Sequence, residues 1–297
     1  MIFHGIKGSL KKDYNLAHLT WFKVGGNAQF FFKPDSEDDL INALKQFPDK
    51  ENIAIIGAGS NMIVRDGGID GLVIKLARNF TNIKPLDNGN LLVGSGCLNF
   101  NLAKFAQVNG IKNFEFLIGI PGSVGGGVAM NAGSYGAEFK DIIRSINVID
   151  FQGNKKNIKL AEIGFGYRSN NLPKNLIVTS VEFKTEKGNS VEIKKIMDQI
   201  SDARSSTQPI TEKTGGSTFA NPDGYKAWQL IDEVGMRGFR VGGALMSEKH
   251  CNFIINDGSA SATDIEELGD LVQQRVFQEK DIALKWEIKR VGKKSVN

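Results

Sequence analysis

Apolar residues recur at helical spacing in three stretches of the chain. Over Ser36 to Phe47, Leu40, Leu44 and Phe47 share one face, with Ser36 placed to cap the first turn and Asp39 three residues on. Over Val191 to Ala203, Ile193, Ile196, Met197 and Ile200 form a stripe. Thr263 to Phe277 repeats the pattern behind a Thr263/Glu266 pair spaced as a capping box. β-branched and aromatic runs bounded by turn residues predict strands at Gln29 to Phe32, Ile53 to Ile56, Leu72 to Ile74, Leu91 to Val93, Ile146 to Phe151, Ile177 to Phe183 and Phe253 to Ile255. The mixture predicts an α+β fold. The polar stretch 184–190 follows a strand and precedes a helix, so it reads as a boundary between two regions.

Composition narrows the class. A chain of 297 residues exceeds one compact core, so two or three subdomains are expected. With 41% hydrophobic and 24% charged residues, the disordered, collagenous and membrane classes are excluded. The net charge of +4 is dispersed apart from Lys285, Lys289, Arg290, Lys293 and Lys294, which is no nucleic-acid stripe and suits small anionic ligands. Cys97 and Cys251 stand far apart without a CxxC or Cys/His cluster, so neither a disulfide framework nor a metal site is expected. There is no N-terminal apolar h-region and no uninterrupted apolar run of spanning length, so a cytoplasmic protein without membrane partners is expected.

The glycines carry the candidate chemistry. There are 34 of them, well above average usage, clustered between predicted elements. The strand Ile53 to Ile56 runs into Gly57-Ala58-Gly59-Ser60-Asn61, a turn whose successive backbone N–H groups can approach phosphate oxygens, with Ser60 and Asn61 adding side-chain donors. Position 62 is Met, so the dinucleotide fingerprint GxGxxG is incomplete and a nicotinamide Rossmann domain is disfavoured; a plain tight turn stays open. A second loop, Pro121 to Gly127, is richer: Gly119, Gly122, Gly125, Gly126 and Gly127 are bracketed by Ile120, Pro121 and Val124 and followed by small residues to Ala132 and Gly133. Flexible linkers lack such brackets, so a pyrophosphate cradle including Pro121 and Ser123 is the better reading.

Six motifs in order then carry a resemblance. They are Thr20-Trp-Phe-Lys-Val-Gly25-Gly26, Gly57-Ala-Gly-Ser-Asn61, Ile118-Gly-Ile-Pro-Gly-Ser-Val-Gly-Gly126, Gly166-Tyr167-Arg168-Ser169, Gly216-Ser217-Thr-Phe-Ala-Asn221-Pro222 and Trp286-Glu287-Ile-Lys-Arg-Val-Gly292. Together they make the chain resemble the UDP-N-acetylenolpyruvoylglucosamine reductases over nearly its whole length, and the short region after Lys187 is similar to their second type. The resemblance implies an FAD-binding fold of the vanillyl-alcohol oxidase type. It would comprise two FAD-binding subdomains in residues 1–186, split near 77, and a smaller α+β substrate domain in 187–297 whose C-terminal segment returns to the active site. Relatives that attach flavin covalently use a histidine near the first glycine loop; this chain has Asn61, which implies non-covalent FAD.

The activity so implied is a hydride relay in peptidoglycan precursor synthesis, serving the cell wall, cell shape and division. NADPH is the donor and an enolpyruvyl sugar nucleotide the acceptor, in an enzyme taken as a monomer. Ser217 matches the family's proton donor, Arg168 its carboxylate-gripping arginine and Glu287 its catalytic glutamate, while Asn221, His250 and Tyr167 match substrate positions, with Lys213 and Tyr225 weaker. On local pattern alone Ser217 reads as a turn serine, Arg168 as a surface residue and Glu287 as a solvent-facing strand position. A flavin oxidase of the same fold and a non-enzymatic binding module are the competing functions.

Overall fold

The computed structural model describes residues 3–295, and these residues form the α+β mixture expected. They divide into two compact units: residues 3–12, Phe30–Ala58 and Gly71–Asp202 in the first, and Asp13–Gln29, Gly59–Asp70 and 203–295 in the second. The stretch 184–190 is tied back within the first unit, where Lys112 N–H donates to Glu186 O at 3.0 Å and Gly188 N–H to Gly110 O at 2.7 Å. The division falls at Asp202/Ala203, inside the helix Ser190–Thr207.

The first unit contains two apolar clusters. One lies on a five-stranded sheet whose order runs Lys155–Lys159, Ile143–Asp150, Leu176–Phe183, Leu91–Gly94, Ile83–Pro85, antiparallel throughout. Burial along Leu176–Phe183 alternates, with Ile177, Thr179, Val181 and Phe183 inside, which is the period of a half-covered strand. Leu102, Ala103 and Ala106 of the helix Asn99–Val108 and Val124 and Val128 of the helix Val124–Met130 join the same cluster. The other cluster sits under the helix Glu37–Gln46, whose Leu40, Ala43 and Leu44 meet Phe30, Phe32, Leu72 and Ile74.

Ser36 caps that helix as predicted, accepting from Asp39 N–H at 3.1 Å. The Asp39 carboxylate turns to the N-terminal segment, accepting from Lys7 N–H at 2.9 Å and Gly8 N–H at 2.8 Å. In the helix Ser190–Thr207 the buried stripe is Ile193, Met197 and Ile200, an i, i+4, i+7 row, and Ile196 lies off it and is exposed.

The second unit stacks the helices Ala227–Glu233 and Ala262–Lys280 on an antiparallel sheet ordered Lys213–Ser217, Phe253–Asn256, Ala244–Met246, Arg240–Val241. The capping box of the longer helix is Ser261/Asp264, two residues before the predicted Thr263/Glu266: Asp264 N–H donates to Ser261 Oγ at 3.0 Å and Ser261 N–H to Asp264 Oδ2 at 2.9 Å. Thr263 instead donates its hydroxyl to Asp66 at 2.8 Å, and Glu266 pairs with Arg65 at 2.8 Å.

The second glycine stretch is also corrected. Residues 124–127 are not loop but the first turn of the helix Val124–Met130, capped by Ser123 Oγ, which accepts from Gly126 N–H at 3.4 Å. A Cβ on Gly127 would lie 2.1 Å from Cζ of Phe139, a buried ring wedged edge-on between Phe116 and Phe183. Gly127→Ala therefore overpacks this cluster despite its better helix propensity, and urea denaturation is expected to show a loss of about 1–3 kcal/mol; an unchanged or raised midpoint would refute this packing.

Candidate active site

In the first unit the two glycine segments converge. A Cβ on Gly57 would stand 2.7 Å from Ser123 Oγ, so only hydrogen there lets the turn Gly57-Ala58 approach the Ser123 cap this closely. Gly119, Pro121 and Gly122 lead into that cap; Gly122 holds φ +137°, a backbone that side chains rarely adopt. Gly125 N–H is committed to Ser95 O at 2.8 Å and a Cβ on it would meet Ser95 Cβ at 3.0 Å.

Two buried polar atoms beside this segment have no hydrogen-bond partner among the described residues: Ser95 Oγ and Asn99 Oδ1. Asn99 is oriented by its own amide, which donates to Ile120 O at 3.2 Å. The Ser95 hydroxyl can donate to an anionic oxygen, whereas Asn99 Oδ1 only accepts and calls for a group that donates; leaving either unmade costs about 1–3 kcal/mol. Lys75 adds a cation that the sequence did not single out; its ammonium donates to Gly57 O, and burial, then the neighbouring Lys33, holds it below the ordinary lysine range.

Arg168 lies in the same unit. It closes the turn Gly166–Ser169 with φ +51°, unusual for a side-chain-bearing residue and costing of the order of 1–3 kcal/mol. Nη2 donates to Gly133 O at 2.8 Å, and the guanidinium lies 5.3 Å from the centre of the Tyr167 ring, itself largely exposed. Asn131, fully buried at a left-handed φ of 42°, braces this corner: it donates to Glu138 and to Gly166 O, each at 3.0 Å, and accepts from Lys140 N–H. Lys140 and then Asn131 keep the Glu138 carboxylate ionised below its usual range, and Arg168 adds to that. Ala132 N–H bonds Gly127 O at 2.9 Å, which turns the chain from the glycine helix to Gly133.

The second unit holds the remaining candidates. Gly59 has φ +71° and a Cβ there would meet Leu19 O at 1.9 Å, so the turn lies flat on the segment 19–21. Ser60 O is the atom nearest Gly216, at 4.0 Å from where its Cβ would be. Asn61 Nδ2 donates to Glu287 O at 3.3 Å and Asn61 O accepts from Lys289 N–H at 3.1 Å, fixing the last strand on this turn. Ser217 follows the positive-φ Gly216, where the strand register shifts, and stands opposite Phe253. Thr218 O accepts the Glu287 N–H at 2.8 Å, so this backbone bond ties the residue after Ser217 to Glu287. Thr214 Oγ1 and Thr218 Oγ1, on either side of Gly215-Gly216-Ser217, are buried without partners among the described residues.

Asn221 and His250 have structural bonds of their own. Asn221 Oδ1 accepts from Ala227 N–H at 2.9 Å, holding the loop into the helix Ala227–Glu233. His250 is 4.8 Å from the Phe253 ring centre and 6.2 Å from Trp228, and its Nδ1 accepts from Asn252 N–H at 3.2 Å. Burial, with the nearby Arg237 charge adding, lowers its pKa, which keeps it neutral and accepting. Asn252, missed in the sequence because nothing in its flanking pattern marks it, pins Phe219 through both backbone groups at 2.9 and 2.8 Å. Burial pushes both thiols, Cys97 and Cys251, up to about 11, so neither is a ready nucleophile.

Comparison with known proteins follows this geometry. The UDP-N-acetylenolpyruvoylglucosamine reductase C-terminal domain family model matches residues 208–291 and an FAD binding domain model matches residues 28–158. The UDP-N-acetylenolpyruvoylglucosamine reductase of Rickettsia bellii strain RML369-C is 61% identical over 290 residues, covering 98% of this chain and 96% of its own. That of Rickettsia massiliae is 62% identical over 288 residues, 97% of each chain. The crystal structure of the Thermus caldophilus UDP-N-acetylenolpyruvylglucosamine reductase superposes with a TM-score of 0.83 at 34% identity, covering 96% of this chain and 98% of that one. By identity and coverage, this chain belongs to the UDP-N-acetylenolpyruvoylglucosamine reductase family and is a flavin-dependent oxidoreductase.

Proposed function

We propose that the chain reduces the enolpyruvyl ether of UDP-N-acetylglucosamine enolpyruvate to the lactyl ether of UDP-N-acetylmuramate, with NADPH as hydride donor and non-covalent FAD as carrier. The reading places it in the cytoplasm as a monomer acting on a small sugar nucleotide. No helix among the described residues is long and apolar enough to cross a membrane. The observation that carries the proposal is the coupling of the Ser217 strand to Glu287 through Thr218, with Asn61 on the same strand end.

When bound, FAD supplies a two-electron store that accepts hydride from the nicotinamide and releases it to the enolpyruvyl methylene carbon. In this reading Gly57 to Asn61, with Gly119, Pro121, Gly122, Ser123, Gly125, Gly126, Ala132 and Gly133, line its site; residues 1–186 form the flavin region and 187–297 the substrate domain. Hydride addition leaves negative charge on the substrate's α-carbon and carboxylate. Arg168, permanently charged and forked, suits that carboxylate. Ser217 donates the proton to the α-carbon. Glu287, beside an enolate, serves best by orienting and re-protonating the serine. Tyr167, Asn221 and His250 shape the substrate side.

Three outcomes test this. The purified protein is expected to be yellow or to become so with added FAD, whereas Gly57→Val should lose most flavin because the branch fills the space before Ser123 Oγ; full retention there would remove Gly57 from the site. In anaerobic stopped flow, NADPH should bleach the flavin and UDP-N-acetylglucosamine enolpyruvate should restore it rapidly. Slow restoration by the sugar nucleotide beside fast restoration by O₂ would identify an oxidase instead. Ser217→Ala should keep the first half-reaction and slow the second by at least about 10²-fold, the usual scale for a lost general acid; equal loss of both would count against the proton-donor role.

A further inference from the structure

Resting on the reading above, we propose that Lys285 is a substrate-binding residue that grips a phosphate of the sugar nucleotide's diphosphate. The argument is one of register. Phe219–Ala220 and Lys285–Trp286 form an antiparallel ribbon in which Phe219 faces Trp286 and Ala220 faces Lys285. One side of the ribbon is committed to the core: Phe219, Leu284 and Ile288 are buried there and Trp286 packs against them, its ring 5.2 Å from Phe219. Alternation therefore sends Lys285 and Glu287 to the opposite side, with Thr218 and Ala220 across from them.

That is the side on which the proposed role of Glu287 puts the reaction. Lys285 and Glu287 stand about 7 Å apart along the strand. The residue opposite Lys285 has only a methyl group, so nothing there obstructs the lysine stem, and the next residue is Asn221. Lys285 is exposed and has no carboxylate partner among the described residues, unlike Arg290, which pairs with Asp270. An unpaired ammonium beside a candidate proton relay, on a short ribbon locked by a buried aromatic pair, is placed for a dianionic group one sugar away from the reacting carbon. As a point charge on a flexible stem, lysine suits a phosphate.

The test uses the whole flavoprotein and two probes, UDP alone and the full sugar nucleotide. Lys285→Gln is expected to weaken UDP binding, read by titration calorimetry, and to raise KM for the sugar nucleotide, each by about 10- to 100-fold, the scale of a lost charge-assisted hydrogen bond. kcat and flavin reduction by NADPH should hold. Lys285→Arg should recover most of the affinity, and Lys195→Gln, on an exposed face of the helix Ser190–Thr207, should change neither quantity. Unchanged UDP affinity, or a fall in kcat at constant KM, would overturn the assignment. If the unmodified protein does not turn over the sugar nucleotide but binds UDP, the functional reading fails while this one is still measured by the UDP titration.

Discussion

Asn252 holds Phe219 by both its backbone N–H and its C=O, and the rest of the second unit's site hangs from that pair. A buried carboxamide satisfied on both ends has one orientation, so Phe219 has one position against the core. Thr218, whose N–H is also taken by Asn252 O at 2.7 Å, is thereby presented to Glu287. Above Asn252, the neutral His250 accepts its backbone N–H, and the aromatic faces of Trp228 and Phe253 flank the imidazole. Removing one partner would leave a buried polar group unmade and also free the strand that carries Ser217.

The glycines separate into two physical classes once they are placed. Gly125, Gly127, Gly215 and Gly269 sit where a neighbouring side chain occupies the space of a Cβ, so they are packing solutions. Gly57 belongs with them, since its Cβ position lies 2.7 Å from Ser123 Oγ, whereas Gly216 has nothing nearer than 4.0 Å and is set apart by its positive φ. Enrichment alone does not distinguish them, because both classes need hydrogen at Cα for different reasons.

How much was legible follows the same division. Periodic segments were readable, since the Leu40/Leu44 and Ile193/Met197/Ile200 faces are written at fixed spacing and the core simply accepts them. The capping box slipped by two residues because Ser261/Asp264 and Thr263/Glu266 have the same spacing, and only Asp66, some two hundred residues away in sequence, decides between them. Lys75, Ser95, Asn99, Asn131 and Asn252 left no signal at all. Their roles are set by partners distant in sequence, and an isolated polar residue in a strand or helix looks the same whether it meets water or a buried carbonyl. Arg168, Ser217 and Glu287 are candidates through motif resemblance alone; the left-handed turn at Arg168 and the register shift before Ser217 are visible only in three dimensions.

The hydrogen bond from Asn61 to Glu287 spans 226 residues of chain. Contacts of such separation are made late, after local helices and hairpins have formed, because closing the intervening loop costs entropy before any contact repays it. The strand Lys289–Val291, which pairs in parallel with Met62–Val64, anchors the chain just after the turn Gly59–Asn61 from the far end of the sequence. Pairing at the Glu287 corner therefore carries a larger loop-closure cost than the neighbouring hairpins of the same unit, and the stability of this corner depends on the far end of the sequence.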